Sequence, residues 1–172
     1  MHKAVFFDRD GVINRAVVKN GKPYPPRVQA EFVWMDGVHE TLSALRDRGY
    51  LLFVFTNQPD VARGTLDRSV VEGFHERLLR ELPIRRIYAC FHDDADGCSC
   101  RKPKPGMLYQ GRDDYGIDLA ASWVVGDRWK DIEAGKAAGC RTAYLNDGYD
   151  ERPASGYDRL IGRLDELLTF IT

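Results

Sequence analysis

Short runs of β-branched and aromatic residues alternate with longer stretches of helical periodicity along this chain. The runs that predict strands lie at 3–7, 51–55, 86–91, 122–126 and 141–145. Strands that alternate with helical patterns are typical of βαβ units. The pattern therefore predicts an α/β fold with a parallel central sheet.

Amphipathic stripes predict the helices between and after these strands. They are expected at 38–48, 67–82, 106–115, 129–138 and 159–170. Gly49 stands where a left-handed residue commonly ends a helix, and Asp67 is suited to cap the start of the second helix. We expect each apolar stripe to face a shared core.

The stretch 13–36 interrupts this alternation. Its central part, 19–27, is basic and rich in Pro, Gly and Asn, and it lacks an apolar period. Such a composition predicts a long loop, and long loops in compact domains commonly carry function. We expect this loop to lie on the substrate side of the molecule.

Length and charge narrow the classes of protein and of partner. The 172 residues, 44% of them hydrophobic, predict one domain over 1–172. A net charge of −1 gives no basic field for nucleic acid or an anionic membrane. No apolar run approaches the roughly 20 residues of a spanning helix, and no signal peptide precedes the first strand. A cytoplasmic monomer is expected.

Polar side chains follow three of the predicted strands. Asp8 and Asp10 come after the first, Thr56 and Asn57 after the second, and Asp127, with Asp131 one turn later, after the fourth. Taken alone, each group is as compatible with an ordinary solvated turn as with a functional site. Parallel strands would bring all of them to one edge of the sheet, where converging carboxylates require a cation. Oxygen ligands of this kind predict Mg²⁺.

Positive charge is supplied by Arg101 and Lys102, directly before the helix at 106–115. The N-terminus of a helix also favours anions. Taken alone, these two residues are as compatible with a solvated charged segment as with an anion-binding site. Together with the carboxylates they predict a site for a phosphate group, and hence a small phosphorylated metabolite as the partner.

Three of the four cysteines lie close together beside a histidine. The spacing Cys90-x-His92-x₅-Cys98-x-Cys100 predicts a tetrahedral shell with no open position, which is typical of structural Zn²⁺. The alternative is a set of reduced cysteines that are neighbours by chance. Zinc would brace the acidic segment 93–97 and deliver Arg101 and Lys102 to the phosphate site.

Asp8-x-Asp10-Gly11-Val12, Thr56-Asn57, Lys102 and Gly126-Asp127, in this order, resemble the four motifs of the haloacid dehalogenase (HAD) superfamily of phosphohydrolases. The resemblance covers nearly the whole chain. It implies a HAD-like, Rossmann-type three-layer sandwich. The chain is too short for a large cap domain.

The resemblance also implies roles for these residues. Asp8 would be the nucleophile that forms an aspartyl phosphate, and Asp10 the group that protonates the leaving oxygen and then activates water. Mg²⁺ would be held by Asp8, the Asp10 backbone carbonyl and Asp127. Thr56 and Lys102 would bind the transferring phosphoryl group, with Asn57 and Arg101 as further substrate contacts.

The zinc motif followed by Arg101-Lys102 resembles the subgroup of heptose bisphosphate and histidinol phosphatases. The segment from Asn57 to Gly64, with its Ala-Arg-Gly, is similar to the heptose enzymes, so we expect a 7-phosphatase of D-glycero-D-manno-heptose 1,7-bisphosphate. The short gap between His92 and Cys98 leaves histidinol phosphate as the alternative. A zinc-stabilised binding module without activity and a DNA 3′-phosphatase fit the residues less well.

Overall fold

A computed structural model describes all residues, 1–172, and its centre is a six-stranded parallel sheet. The strands are β1 (Ala4–Phe7), β4 (Leu51–Asn57), β5 (Arg86–Cys90), β6 (Trp123–Gly126), β7 (Arg141–Leu145) and β8 (Arg159–Ile161). Their order across the sheet is β5-β4-β1-β6-β7-β8. The predicted α/β fold with a parallel sheet is confirmed.

β1 occupies the middle of the sheet because every one of its side chains is apolar and fully buried. Phe6 is in register with Phe53 on one side and Val124 on the other. Continuous apolar runs of this kind suit strands that are covered on both faces. The residues that follow β1, β4 and β6 therefore meet at one edge of the sheet.

Five helices flank the sheet, and they are α1 (Val38–Asp47), α2 (Pro59–Ala62), α3 (Arg68–Glu81), α4 (Gly106–Tyr115) and α5 (Trp129–Ala137). Alternate residues of β1 enter different cores. Val5 and Phe7 pack with residues of α1 and α3, whereas Ala4 and Phe6 pack with residues of α4. Two apolar layers, one on each face of the sheet, make the predicted three-layer sandwich.

The expected helix at 159–170 is wrong. Arg159–Ile161 instead forms β8, which extends the sheet beyond β7, and Leu164–Thr169 forms a 3₁₀ helix. The leucines at 164 and 167 are both buried, at the three-residue spacing that places side chains on one side of a 3₁₀ helix. Their spacing fits a 3₁₀ helix as well as an α-helix, so the apolar pattern did not distinguish the two.

The long loop expected over 13–36 contains more structure than predicted. β2 (Val17–Lys19) and β3 (Lys22–Tyr24) form an antiparallel hairpin, and a 3₁₀ turn follows at Gln29–Glu31. Asn20 and Gly21 join the two strands with φ of 52° and 74°. Two successive residues with positive φ are typical of the tight turns that match strand twist. We call Val17–Tyr24 the substrate-side hairpin.

Two smaller details complete the comparison at the helix ends. Gly49 has φ of 84°, as expected of the residue that ends α1. Asp67 precedes α3, but its side chain makes no capping hydrogen bond.

No helix combines the length and the hydropathy that crossing a bilayer requires. The chain contains no large cap domain, since the hairpin and α2 are the main elements above the sheet edge.

Candidate active site

Asp8 and Asp10 lie directly after β1, where the chain leaves the sheet. The Asp8 backbone still donates to the carbonyl of Val125 on the neighbouring strand, over 2.9 Å. Its side chain is 7% exposed and accepts a hydrogen bond from the backbone N–H of Arg9. The central strand thus fixes Asp8 at the base of a cavity of about 510 Å³, and Asp10 lines the same cavity.

Lys102 is buried between two carboxylates. Its Nζ lies 2.8 Å from Asp8 Oδ1 and 2.7 Å from Asp131 Oδ1, and it donates to the carbonyl of Phe55 over 3.0 Å. Burial alone would lower the pKa of Lys102, but Asp131 and Asp8 more than offset it and raise that pKa. Lys102 is therefore a fixed positive charge beside Asp8.

Asp131 has two structural roles at this edge of the sheet. It contacts Lys102, and its Oδ2 accepts from the backbone N–H of Arg128 at the start of α5. Gly126 permits this approach, because a Cβ there would lie 2.1 Å from Cβ of Asp131. The helix start and the lysine are thus held by one carboxyl group.

Asp8, Asp127 and Asp131 form a buried acidic cluster whose ligand oxygens lie within 4.8 Å of one another. Burial, and then Asp131, raises the pKa of Asp8 to about 6. Burial, and then Asp8 and Asp131, raises the pKa of Asp127 well above its ordinary range. One lysine does not compensate for the cluster. Full ionisation of the three carboxyl groups therefore requires a further cation.

The cluster fits a divalent cation for a specific reason: both carboxylate oxygens of Asp127 are buried and neither makes a hydrogen bond of normal geometry, although the Tyr149 hydroxyl lies near enough to lower the pKa of Asp127 somewhat. Buried polar atoms without partners are rare and costly. Gly11 makes room beside them, because a Cβ there, at φ of 93°, would lie 1.8 Å from Asp127 Oδ2. Oxygen donors in this arrangement suit Mg²⁺.

Thr56 and Asn57 end β4 at the same edge. The Thr56 hydroxyl is buried and accepts from Nε2 of Gln58 over 2.9 Å. The side chain of Asn57 exchanges two hydrogen bonds with the backbone of Lys102, at 3.0 and 3.1 Å. Asn57, expected as a substrate contact, therefore also holds the backbone of Lys102.

The zinc knuckle, defined as Cys90, His92, Cys98 and Cys100, is assembled beside β5. The three sulfur atoms lie 3.2 to 3.7 Å apart, and His92 Nδ1 lies 3.3 and 3.5 Å from two of them. These separations exclude disulfides, whose sulfurs are about 2.0 Å apart. They approximate the edges of a tetrahedron with metal bonds of about 2.0 to 2.3 Å, so the knuckle fits Zn²⁺.

Arg101 links the zinc knuckle to the cavity. Its Nε donates to Asp94 over 2.6 Å, and its Nη1 donates to the carbonyl of His92 over 3.3 Å. Arg63, from the segment after α2, donates twice to Asp93, each time over 2.6 Å. The acidic segment inside the knuckle thus orients two arginines that line the cavity.

The structure adds cavity residues that the sequence analysis did not single out. Arg128 and Lys130 come from the start of α5, and Lys22 comes from the substrate-side hairpin. Glu151 forms an ion pair with Arg128, from a loop that follows β7. The adjacency of Arg128 to Asp127 was a usable signal. Nothing local in the sequence places Glu151 at the cavity, because that contact depends on how the β7–β8 loop folds back.

Comparison with known proteins gives consistent results. The haloacid dehalogenase-like hydrolase family matches residues 26–139. A curated relative from Campylobacter jejuni, named D-glycero-alpha-D-manno-heptose-1,7-bisphosphate 7-phosphatase, is 36% identical over 98% of this chain and 95% of its own length. One from Pseudomonas aeruginosa, named as the corresponding beta-heptose enzyme, is 39% identical over 84% of this chain and 81% of its own.

Among solved structures, D,D-heptose 1,7-bisphosphate phosphatase from B. bronchiseptica superimposes with a TM-score of 0.81. It is 28% identical to this chain, and the match covers 97% of this chain and 98% of the other. That crystal structure is a complex with magnesium and phosphate.

Proposed function

The chain belongs to the haloacid dehalogenase-like hydrolases and is a phosphatase, and from this premise we propose that it hydrolyses the 7-phosphate of D-glycero-D-manno-heptose 1,7-bisphosphate. The observation that carries the proposal is the buried set of Asp8, Lys102 and Asp127, of which Asp8 and Lys102 line a cavity that also contains several arginines and lysines. The names of the relatives support the choice of substrate.

Asp8 is the proposed nucleophile. One of its carboxylate oxygens attacks phosphorus, and the bond from phosphorus to the sugar oxygen breaks as the aspartyl phosphate forms. Asp10 gives the leaving oxygen its proton and then takes a proton from the water that hydrolyses the intermediate. Phosphate leaves, and both carboxyl groups return to their starting states.

Lys102 and Thr56 are the proposed contacts of the transferring group. Phosphoryl transfer depends chiefly on positioning and on compensating negative charge. Lys102 is already fixed against Asp8, so its charge lies where the equatorial oxygens would come. The Thr56 hydroxyl accepts from Gln58, which leaves its own proton available for a phosphoryl oxygen.

Mg²⁺ is the proposed activating ion, held by the Asp8 carboxylate, the Asp10 carbonyl and Asp127. When bound, it supplies positive charge to the nucleophile and to the phosphoryl oxygens. Zn²⁺ in the zinc knuckle is proposed to be structural, because all ligand positions are filled by the chain. Its role is to hold Asp93 and Asp94, and through them Arg63 and Arg101.

The second phosphate of the substrate needs cations beyond Lys102. Arg63, Arg101 and Arg128 line the cavity, but each has a carboxylate partner. Lys130 and Lys22 also line it, and neither forms an ion pair. We propose that Arg101 and Lys130 meet the second phosphate, since Lys130 retains an uncompensated charge.

Phosphate release from 4-nitrophenyl phosphate tests the enzyme assignment. Asp8→Asn should abolish release, because the amide is neither nucleophile nor anionic ligand. Asp47→Asn, which changes an exposed carboxylate paired with Arg46, is the matched control. Equal rates in the two variants would exclude Asp8 as nucleophile, and the absence of activity in the unmodified protein with Mg²⁺ would favour a binding module.

A further inference from the structure

Arg9 stands between the two aspartates in sequence but faces only one of them. Its side chain is fully buried and forms a fork against Asp10: Nη2 donates to Oδ2 over 2.9 Å and to Oδ1 over 3.0 Å, and Nε lies 3.2 Å from Oδ1. A guanidinium that grips both oxygens of a carboxylate fixes the plane of that carboxylate.

His75, on α3, holds the other side of Arg9. The Nη1 atom of Arg9 lies 3.2 Å from His75 Nε2. Arginine is always a donor, so Nε2 accepts and His75 is neutral, with its proton on Nδ1. Burial, and then the charge of Arg9, lowers the pKa of His75 to about 3, which keeps the ring in the accepting form at neutral pH.

Two amides complete the surroundings of Asp10. Asn14 Nδ2 donates to Oδ1 over 3.0 Å, and Gln58 Nε2 donates to Oδ2 over 2.8 Å. The same Gln58 nitrogen also donates to Thr56. The Asp10 side chain is 15% exposed, and its free side faces the cavity. Its orientation is thus determined from Arg9, Asn14 and Gln58 at once.

We propose that Arg9 and His75 are positioning residues that aim the Asp10 carboxyl group at the leaving oxygen of the substrate. This inference rests on the proposed function of Asp10 as proton donor. A proton donor must lie within hydrogen-bond reach of the atom it protonates, so a rotated carboxyl group loses its effect even when it is present. His75 touches neither Asp10 nor the cavity and acts through Arg9.

The test compares His75→Leu with His75→Gln. Leucine removes the acceptor for Arg9, whereas the glutamine side chain can place its oxygen near the position of Nε2. The readout is kcat/KM for an alkyl phosphate and for 4-nitrophenyl phosphate, because kcat/KM reports the steps up to departure of the leaving group. An alkoxide needs a proton as it leaves, and 4-nitrophenolate does not.

We expect His75→Leu to lower kcat/KM for the alkyl phosphate about tenfold more than for the aryl phosphate, a loss within the range of general acid catalysis. His75→Gln should restore the ratio to within about threefold of the unmodified value. Glu76→Gln, at an exposed position of the same helix, is the control. Equal losses on both substrates, or no loss, would overturn the positioning role.

Asp10→Asn separates failure of this inference from failure of the proposed function. If Asp10 is the proton donor, Asp10→Asn reproduces the selective loss on the alkyl phosphate. If Asp10→Asn shows no selectivity, the role of Asp10 itself is wrong. If Asp10→Asn is selective and His75→Leu is not, the proposed function stands and the positioning inference fails. Arg9→Lys provides a second variant that keeps the charge but loses the fork.

Discussion

Removal of Mg²⁺ is expected to destabilise this protein in a manner that depends on pH. The pKa of Asp8 rises from an ordinary 3.8 to about 6 when no cation is present, because of burial and the neighbouring Asp131. The folded state then binds a proton more tightly than the unfolded chain does. The contribution of Asp8 to stability is therefore greatest below its unfolded pKa and is lost as pH rises through about 4 to 6.

The size of this loss follows from the shift. A rise of about 2 pKa units corresponds to about 3 kcal/mol lost above pH 6, as a bound for Asp8 alone in a coupled cluster. For a chain of this length, 1 kcal/mol moves the melting temperature by roughly 2 to 4 °C. A cation that compensates the cluster should thus raise Tm by about 6 to 12 °C at pH 7.5 and by about half as much near pH 5, which lies in the middle of the range over which the contribution is lost.

Thermal unfolding with and without about 10 mM Mg²⁺, on protein that has not been exposed to a chelator, measures this difference. Asp127→Asn should lose the stabilisation by Mg²⁺ because it removes a proposed anionic ligand from the buried cluster. Asp113→Asn, an exposed carboxylate paired with Arg112, should keep it. An equal gain in Tm near pH 5 and about pH 7.5, or none at either, would refute the reasoning.

Three further changes probe the site. Lys102→Met should lower kcat about 100-fold or more and change KM by less, because the lysine charge compensates the negative charge of the transferring group. Steady-state kinetics in which only KM changed would contradict this. Gly11→Ala should displace Asp127 and so lower the apparent affinity for Mg²⁺, measured by titration of activity, about 10-fold to 100-fold. Gly64→Ala is the control, because Gly64 also has positive φ but has open space around it, and it should leave the affinity unchanged. Chelation of zinc should speed hydrogen exchange over 90–104 and lower activity with Mg²⁺ in excess, and full activity with zinc shown to be absent would exclude the bracing role.

The parts of the fold that the sequence predicted are those with strong periodic signals. β1 and β4 read as buried strands because nearly every side chain in them is apolar, and the polar residues that follow them had to meet at one edge once the sheet was parallel. Helices α1 and α3 carry clear apolar stripes, and their predicted bounds agree with the observed ones to within one or two residues. Those signals are local, so one sequence suffices to detect them.

The parts that were missed depend on contacts between distant segments. β8 has three residues and gains its identity from pairing with β7, so the same leucines fitted a helix equally well. The substrate-side hairpin had a local signal in its Asn20-Gly21 turn, which the prediction of a loop overlooked. Its position depends on the backbone of Asp150, which donates to the carbonyl of Gly21. No local pattern predicts a contact across that separation.

The candidate site likewise contains residues that local motifs predicted and contacts that depend on distant segments. Asp8 and Asp127 were predicted at strand ends and Lys102 before a helix, all three as parts of one set of motifs, and the structure brings them together. Asn57, predicted as a substrate contact, lines the cavity, and the sequence did not show that its amide also holds the backbone of Lys102. The pairing of Arg9 with His75 was not predicted, because it joins the turn after β1 to α3 through two side chains with no motif of their own.

The comparison of substrates tests the central claim most directly. Purified protein with Mg²⁺ should hydrolyse D-glycero-D-manno-heptose 1,7-bisphosphate with a kcat/KM at least about tenfold above that for histidinol phosphate, and the product should be the 1-phosphate. Both anomers are assayed, because the relatives include alpha and beta enzymes. A preference of about tenfold for histidinol phosphate, or hydrolysis at position 1 that leaves the 7-phosphate on the sugar, would contradict the account.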